Sequence, residues 1–254
     1  MKISFIEVEP NIQIVDNSPI LFLKDINAIV IADLHLGIEA IMQEEGSFIP
    51  QNLTSQIIEK VTYYLKEIKP NMLILNGDVK HSFQEPTKIE NRDVKEFINK
   101  IHTLVSEVHI IKGNHDIFLS WALKGADNVM FHTSSLSVSR YYFIHGDKDF
   151  ENDLTNEIEY IIIGHLHPVL ETKINGLQKV RNPTFLLGPL KGSSKKILVL
   201  PAFTEYSSGC PIHPKSQGHY IVPILRDNSD IQNFELYVLG ESEVFHFPEL
   251  RLWM

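Results

Sequence analysis

The sequence predicts an α/β fold, with α+β character in its second half. Two mixed β-sheets pack against each other with helices outside them, an αββα four-layer sandwich. Three observations predict it. Short runs of Ile, Val, Leu and Tyr recur along the chain, with the length and composition of strands buried on both faces. Two long segments with apolar residues at helical spacing separate the first three of these runs, which implies βαβ units and parallel strands. After about residue 126 the helical signal fades and the chain reads mostly as strands, including antiparallel ones.

The elements follow in order. "SFIEV" and "SPILFL" are strands that join the sheet system. "AIVIADLHLG" is an apolar strand that ends in polar residues. "QNLTSQIIEKVTYYLKEIKP" sets Leu53, Ile57, Ile58, Val61, Leu65 and Ile68 on one helical face, with Pro50 near its start and Pro70 as its stop. "MLILNGDVKH" is the second strand of the βαβ series. "NRDVKEFINKIHTLVSE" repeats the helical pattern through Val94, Phe97, Ile98, Ile101, Leu104 and Val105. "VHIIKGNHD" is the third strand, and "IFLSWALKG" a short helix capped by Gly125. "YYFIHGD", "YIIIGHLHP" and "KILVLPAF" continue the strands. "VLETKI-NG-LQKVR" is a hairpin with Asn175 and Gly176 as a type I′ turn. "HYIVPIL" and "NFELYVL" read as antiparallel strands around the turn residues "RDNSD". No repeat, low-complexity tract or linker divides residues 1–254, so one domain is expected.

Composition narrows the function. The chain has 254 residues, 43% hydrophobic and 22% charged, as expected for a globular protein. No run approaches the roughly 20 apolar residues of a bilayer span. "MKISFIEVEP" carries no secretory h-region, and a cytoplasmic location is expected. Cys210 is the one cysteine, which excludes an internal disulfide and a cysteine zinc site. The formal net charge of −9 opposes nonspecific nucleic-acid binding over the whole surface. It does not oppose a local groove or bound cations.

The polar residues that end the strands carry the chemistry. They are Asp33 and His35; Asp78 and His81; Asn114, His115 and Asp116; His145; His165 and His167. Ligands of α/β sheets bind beyond the carboxyl ends of strands. These O and N donors suit manganese, iron or zinc, and there are enough of them for two ions. In Asp33-Leu34-His35 and His165-Leu166-His167 the donors are two apart, so each pair points one way from a strand end. A single strand-end Asp or His usually satisfies a neighbouring loop, but five strand ends that repeat the pattern argue for one convergent site. His102, His109, His219 and His246 read as structural, and His132 and His213 as surface or loop residues.

In this order and spacing, D-x-H, GD, GNHD, H and GHxH resemble the calcineurin-like metallophosphoesterase superfamily. The resemblance implies a double β-sandwich flanked by helices. It implies a first metal on Asp33, His35 and His167, a second on Asn114, His145 and His165, and Asp78 bridging both. It also implies two divalent ions, manganese first, with iron, zinc or cobalt accepted. His115 would face the leaving group as general acid, oriented by Asp116, and His81 would be a second substrate-facing histidine. A metal-bridging hydroxide would attack phosphorus in line. "ADLHLGIEA", "GDVKHSF", "GHLHP" and "LVLPAF" further resemble small phosphoesterases encoded beside DNA ligase in bacteria and their archaeal relatives, which are related to a repair nuclease. That kinship implies a phosphodiester substrate of nucleotide or nucleic-acid type, association with DNA-repair proteins and a homodimer.

Other readings of the same motifs are a phosphomonoesterase or nucleotide pyrophosphatase, and a non-catalytic metal-binding scaffold. The filled donor positions and His115 disfavour the scaffold. One stretch bears on the substrate. "KINGLQKVRNPTFLLGPLKGSSKK" holds Lys173, Lys179, Arg181, Lys191, Lys195 and Lys196 and no acid. It is either a solvated surface or a track for a polyanion.

Overall fold

The computed structural model describes residues 3–44, 46, 52–149, 154–174 and 178–253. Pro50 and the Asn175–Gly176 turn lie outside these residues. One sheet comprises β1 (Phe5–Glu9), β2 (Ile12–Val15), β3 (Leu21–Leu23), β4 (Ala28–Ile31), β5 (Met72–Leu75), β6 (Glu107–Ile111) and β7 (Val129–His132). They lie side by side in sequence order, antiparallel as far as β4 and parallel from β4 to β7. The other sheet comprises β8 (Ser135–Val138), β9 (Tyr141–Ile144), β10 (Tyr160–Ile163), β11 (Pro168–Ile174), β12 (Gln178–Pro189), β13 (Lys196–Val199), β14 (Cys210–Pro211), β15 (Glu235–Leu239) and β16 (Val244–Phe247). Its order is β14-β11-β12-β13-β10-β9-β8, with β15 and β16 attached beside β12. β9, β10 and β13 are parallel neighbours, so this sheet too is mixed.

Period-two alternation sorts the strand side chains into layers. In β4, Ala28 and Val30 join the core between the sheets, while Ile29 and Ile31 face the helices. In β10, Tyr160 and Ile162 enter the core between the sheets and Ile161 and Ile163 the outer one. Both faces of these strands are therefore dry, which is why they read as unbroken apolar runs. Helices α1 (Ile38–Glu44), α2 (Leu53–Ile68) and α3 (Lys88–Ile101) lie on the first sheet's side. Ile57, Val61 and Leu65 of α2 and Val94, Phe97 and Ile101 of α3 fill that layer. Helix α4 (Pro223–Asp227) and 3₁₀ turns cover the second sheet with Ile224, Leu225 and Ile231. The expected four-layer sandwich is present.

Two local expectations change. "HYIVPIL" is not a strand: a 3₁₀ turn spans Pro214–His219 and α4 starts at Pro223. Proline at the first helical turn has its φ preset and needs no hydrogen bond. "IFLSWALKG" gives only a 3₁₀ turn, Leu119–Leu123. α3 begins at Lys88 because the hydroxyl of Thr87 accepts from the Glu90 N–H at 3.1 Å, an N-cap. α2 ends where Lys69 turns left-handed (φ 53°) and its N–H bonds the Leu65 carbonyl, just before Pro70. Among the described residues no helix is long and apolar enough to cross a membrane.

Candidate metal centre

The chain turns away from β4, β5, β6, β9 and β10 at their carboxyl ends, and the predicted donors sit on those turns. Five of them, Asp33 (φ 58°), His35 (48°), Asp78 (51°), His165 (64°) and His167 (50°), occupy left-handed backbone. That region is unfavourable for a residue with a Cβ and persists where the surroundings impose it. Hydrogen bonds do so here. The Asp33 N–H bonds the Gly77 carbonyl at 3.0 Å and the His35 N–H bonds the Asp78 carbonyl at 3.0 Å. The His165 N–H reaches both Asp33 oxygens at 3.2 and 3.3 Å. Glycines permit the crowding. A Cβ on Gly77 would stand 2.1 Å from His145 Nδ1, and one on Gly113 2.1 Å from Asp78 Oδ1.

The side chains converge. Ligand atoms of Asp33, His35 and His167 lie within 4.8 Å of one another, as do those of Asp78, His145 and His165, and those of His35, His81 and His115. His167 Nε2 is 3.2 Å from Asp33 Oδ1, and 3.4 Å from His35 Nε2. His145 Nε2 is 3.2 Å from Asp78 Oδ2 and 3.1 Å from Asn114 Oδ1. Asp33 and Asp78 are fully buried.

The donor chemistry fits divalent cations. His145 Nδ1 donates to the Asn76 carbonyl at 3.0 Å, and a carbonyl only accepts. The Nε2 lone pair is left facing a carboxylate oxygen and an amide oxygen. Three acceptors turned on one another repel unless a positive charge stands among them. A proton on His145 can supply that charge. Burial disfavours it, but the hydrogen bond to Asp78 and the charges of Asp78 and Asp33 win, and the pKa of His145 is pushed up to about 10. Asp78 titrates below the ordinary carboxylate range: burial raises its pKa, and His145, His35 and His115 lower it further. Asp33 also lies low, because His167 and His145 outweigh burial. His35 goes the other way, pushed down to about 3 by burial against the pull of both aspartates. It is neutral, with a lone pair to offer. A divalent ion answers the same demand as the proton on His145, using donors that are already deprotonated.

A supporting layer fixes the rings. Besides His145, the Asn76 residue bridges the sheets: its Nδ2 donates to Ile144 O at 3.0 Å and Ile162 O at 3.1 Å, both across from β5. His167 Nδ1 meets the Ser207 hydroxyl at 2.5 Å, which leaves Nε2 for the centre. Asn76 and Ser207 carry no sequence signal of this; only the fold brings them in.

The position of Asp116 corrects the sequence expectation. Its Oδ1 accepts from the Val79 and Lys80 N–H groups at 2.9 and 3.3 Å, and its Oδ2 from the Gly113 N–H at 2.9 Å. It is buried, and burial and Asp78 push its pKa up to about 6. Asp116 therefore ties the loop after β5 to the loop after β6. His115 instead turns Nδ1 to the His81 carbonyl and Nε2 towards Asp78, 3.8 Å from Oδ2.

His81 and His115 share one wall, with rings stacked 5.6 Å apart, and His81 Nδ1 is 3.4 Å from His35 Nδ1. Glu90, fully buried, steadies this wall through Oε1, which accepts from the His81 and Ser82 N–H groups at 2.9 and 2.7 Å. Lys80, also buried, aims Nζ at the carbonyls of Ser82 and Gln84.

Five of the other histidines have structural partners. His102 meets Asn128, His213 caps the turn at Pro214, and His109 contacts both His132, at 2.9 Å, and Glu107. His246, read from sequence as structural, bonds Glu235 at 2.8 Å. Three of the six cations of the basic stretch have a carboxylate partner among the described residues. Lys179 and Arg181 pair with Glu171, Lys196 with Glu9, and Lys195 bonds the carbonyls of Thr155 and Ile158.

Solved structures of similar shape include the Pseudomonas putida nuclease MPE. It shares 19% identity over 96% of this chain and 100% of its own, with a TM-score of 0.64. A weaker likeness, TM-score 0.43 and 12% identity over 87% of this chain and 98% of the other, is to the Escherichia coli phosphoesterase YfcE. A search of curated protein sequences returned no match. Residues 26–179, which contain every donor from Asp33 to His167, match the family model described as calcineurin-like phosphoesterase. This chain, with its sandwich of two mixed sheets and its Asp/His cluster at their carboxyl ends, belongs to the calcineurin-like phosphoesterase family, whose members hydrolyse phosphate esters and typically bind two metal ions.

Proposed function

We propose that the protein is a two-metal phosphodiesterase acting on nucleotide or nucleic-acid-type diesters. Asp33, His35 and His167 would hold one ion, Asn114, His145 and His165 the other, and Asp78 both. One observation carries the reading: His145 Nε2 lies 3.2 Å from Asp78 Oδ2 and 3.1 Å from Asn114 Oδ1, donors of three kinds converging on one ring nitrogen. Manganese is the first choice of metal, with iron, zinc and cobalt accepted by such donors. The whole chain, 1–254, would serve as one catalytic unit. The finer kinship to phosphoesterases encoded beside DNA ligase, and work in DNA repair, belong to the same proposal. The fold shared with a nuclease supports it.

When bound, the two cations neutralise the phosphate oxygens and make hydroxide available from water near neutral pH. The residues do the rest. Asp78 and Asp33, ionised and buried, set the charge of the floor. Asn76 and Ser207 hold His145 and His167 with Nε2 inward. His115, half-buried with Nε2 towards the floor, would deliver a proton from that atom to the leaving oxygen. Its Nδ1–H is kept by the His81 carbonyl, so the ring cannot rotate away with the departing group.

Hydrolysis of bis-p-nitrophenyl phosphate and of p-nitrophenyl phosphate, with manganese and with chelator, tests the proposal. A manganese-dependent preference for the diester is expected. Preference for the monoester would make the protein a phosphomonoesterase, and turnover of neither would leave a scaffold.

A further inference from the structure

Three large apolar side chains stand open on the two loops that carry the acid side of the centre. Phe83 is 59% exposed, on the loop after β5; Ile117 (41%) and Phe118 (54%) follow Asp116 on the loop after β6. Phe118 holds φ at 69°, an unfavourable conformation for a bulky residue. Exposed phenylalanine gains nothing from water, and large apolar side chains left open on loops beside a site mark a contact surface.

Phe83 is the best placed. One face of its ring lies on His115, with centroids 3.7 Å apart and planes 32° apart. With that contact made, 59% of the residue still meets solvent. Its loop is held rigid from behind by Glu90, through the Ser82 N–H, and by Lys80, through the Ser82 and Gln84 carbonyls. The fold thus spends a buried carboxylate and a buried ammonium on holding a stretch whose centre is an exposed aromatic ring.

We propose that Phe83, with Phe118 on the adjoining loop, is a stacking platform for the nucleobase of the leaving nucleoside. This rests on the phosphodiesterase reading, in which His115 protonates the leaving oxygen: the group attached to that oxygen departs past His115, and Phe83 covers that path. A planar, neutral π-face suits a purine or pyrimidine. Stacking tolerates any base, so the platform selects nucleosides over alkyl leaving groups and does not read sequence.

Two measurements decide it. The first compares a dinucleotide with a diester that has the same sugar–phosphate link but no base on the leaving side. Phe83→Ala should lower the ratio of kcat/KM for the dinucleotide over the base-free diester about five- to a hundredfold, and Phe83→Trp should restore or raise it. An unchanged ratio would overturn the platform. The second needs no turnover. Tryptophan emission of the chelated Phe83→Trp protein should be quenched by adenosine monophosphate, beyond any change in wild type, and not by ribose phosphate. Equal response to both would also overturn it. If wild type cleaves neither diester while quenching is seen, the phosphodiesterase reading fails and the base site stands.

Discussion

His145 divides its two ring nitrogens between opposite demands: Nδ1 lies 3.0 Å from the carbonyl of Asn76 and Nε2 lies 3.2 Å from Asp78 Oδ2. The first contact requires a donor. The second is made with a proton in the metal-free protein and would be made through a cation in the loaded one.

The exchange has a countable consequence. His145 has its pKa raised from 6.5 to about 10, so it is cationic at neutral pH in the metal-free form. Its pairing stabilises that form fully below about pH 6.5 and ceases to do so as pH rises through about 10. Metal uptake at pH 7 should therefore release about one proton from His145 and a further share from His167, whose pKa Asp33 raises against burial. Asp33 and Asp78, already ionised, should release none. Titration calorimetry with manganese in buffers of different ionisation heat measures the number. Heats independent of buffer at pH 7 would contradict the assignment.

Asp78→Ala removes the carboxylate proposed to serve both ions and the acceptor of the His115 N–H at 2.9 Å. Metal analysis of the purified protein should show both ions lost. Full retention of one would mean that Asp78 is not shared.

His115→Ala should keep metal and lose about 10²- to 10⁴-fold in turnover, the range for one acid–base group. Activity within threefold of wild type would end that role. Asp116 supplies the contrast. Because it accepts three backbone N–H groups and does not orient His115, Asp116→Ala should lower metal content, leaving three buried donors without partners. A loss of turnover with metal content unchanged would return Asp116 to service of His115.

Asn76→Ala strips a donor from two buried carbonyls, Ile144 O and Ile162 O. At about 1–3 kcal/mol for each group left unpaired, the metal-free protein should lose about 2–6 kcal/mol. Urea unfolding in chelator measures it. A loss below about 1 kcal/mol would show that the bridge between the sheets does not bear on stability.

Much of this was legible in the chain because strand and site signals coincide. "AIVIADLH", "MLILNGD" and "YIIIGHLH" each show a strand dry on both faces and, at its end, donors with no apolar reason to be there. Asp116 could not be read, since its partners lie on two different loops. Ser207 could not either, because a serine forty residues from His167 looks like any loop serine. "HYIVPIL" has a strand's composition, and the proline inside it settled the matter for a helix. Glu90 stands just before the helical pattern that starts at Asn91 and carries no signal of its own, yet it is fully buried under the His81 loop.

Asp33 follows a strand of the first sheet and accepts the N–H of His165, which follows a strand of the second. The centre is thus a seam as well as a pocket. A shear of one layer across the other by even a fraction of a strand repeat would part the donors before any ladder broke. Under gradual denaturation, ion release should run ahead of the loss of circular dichroism, and the metal would be the earliest gauge of alignment between the layers.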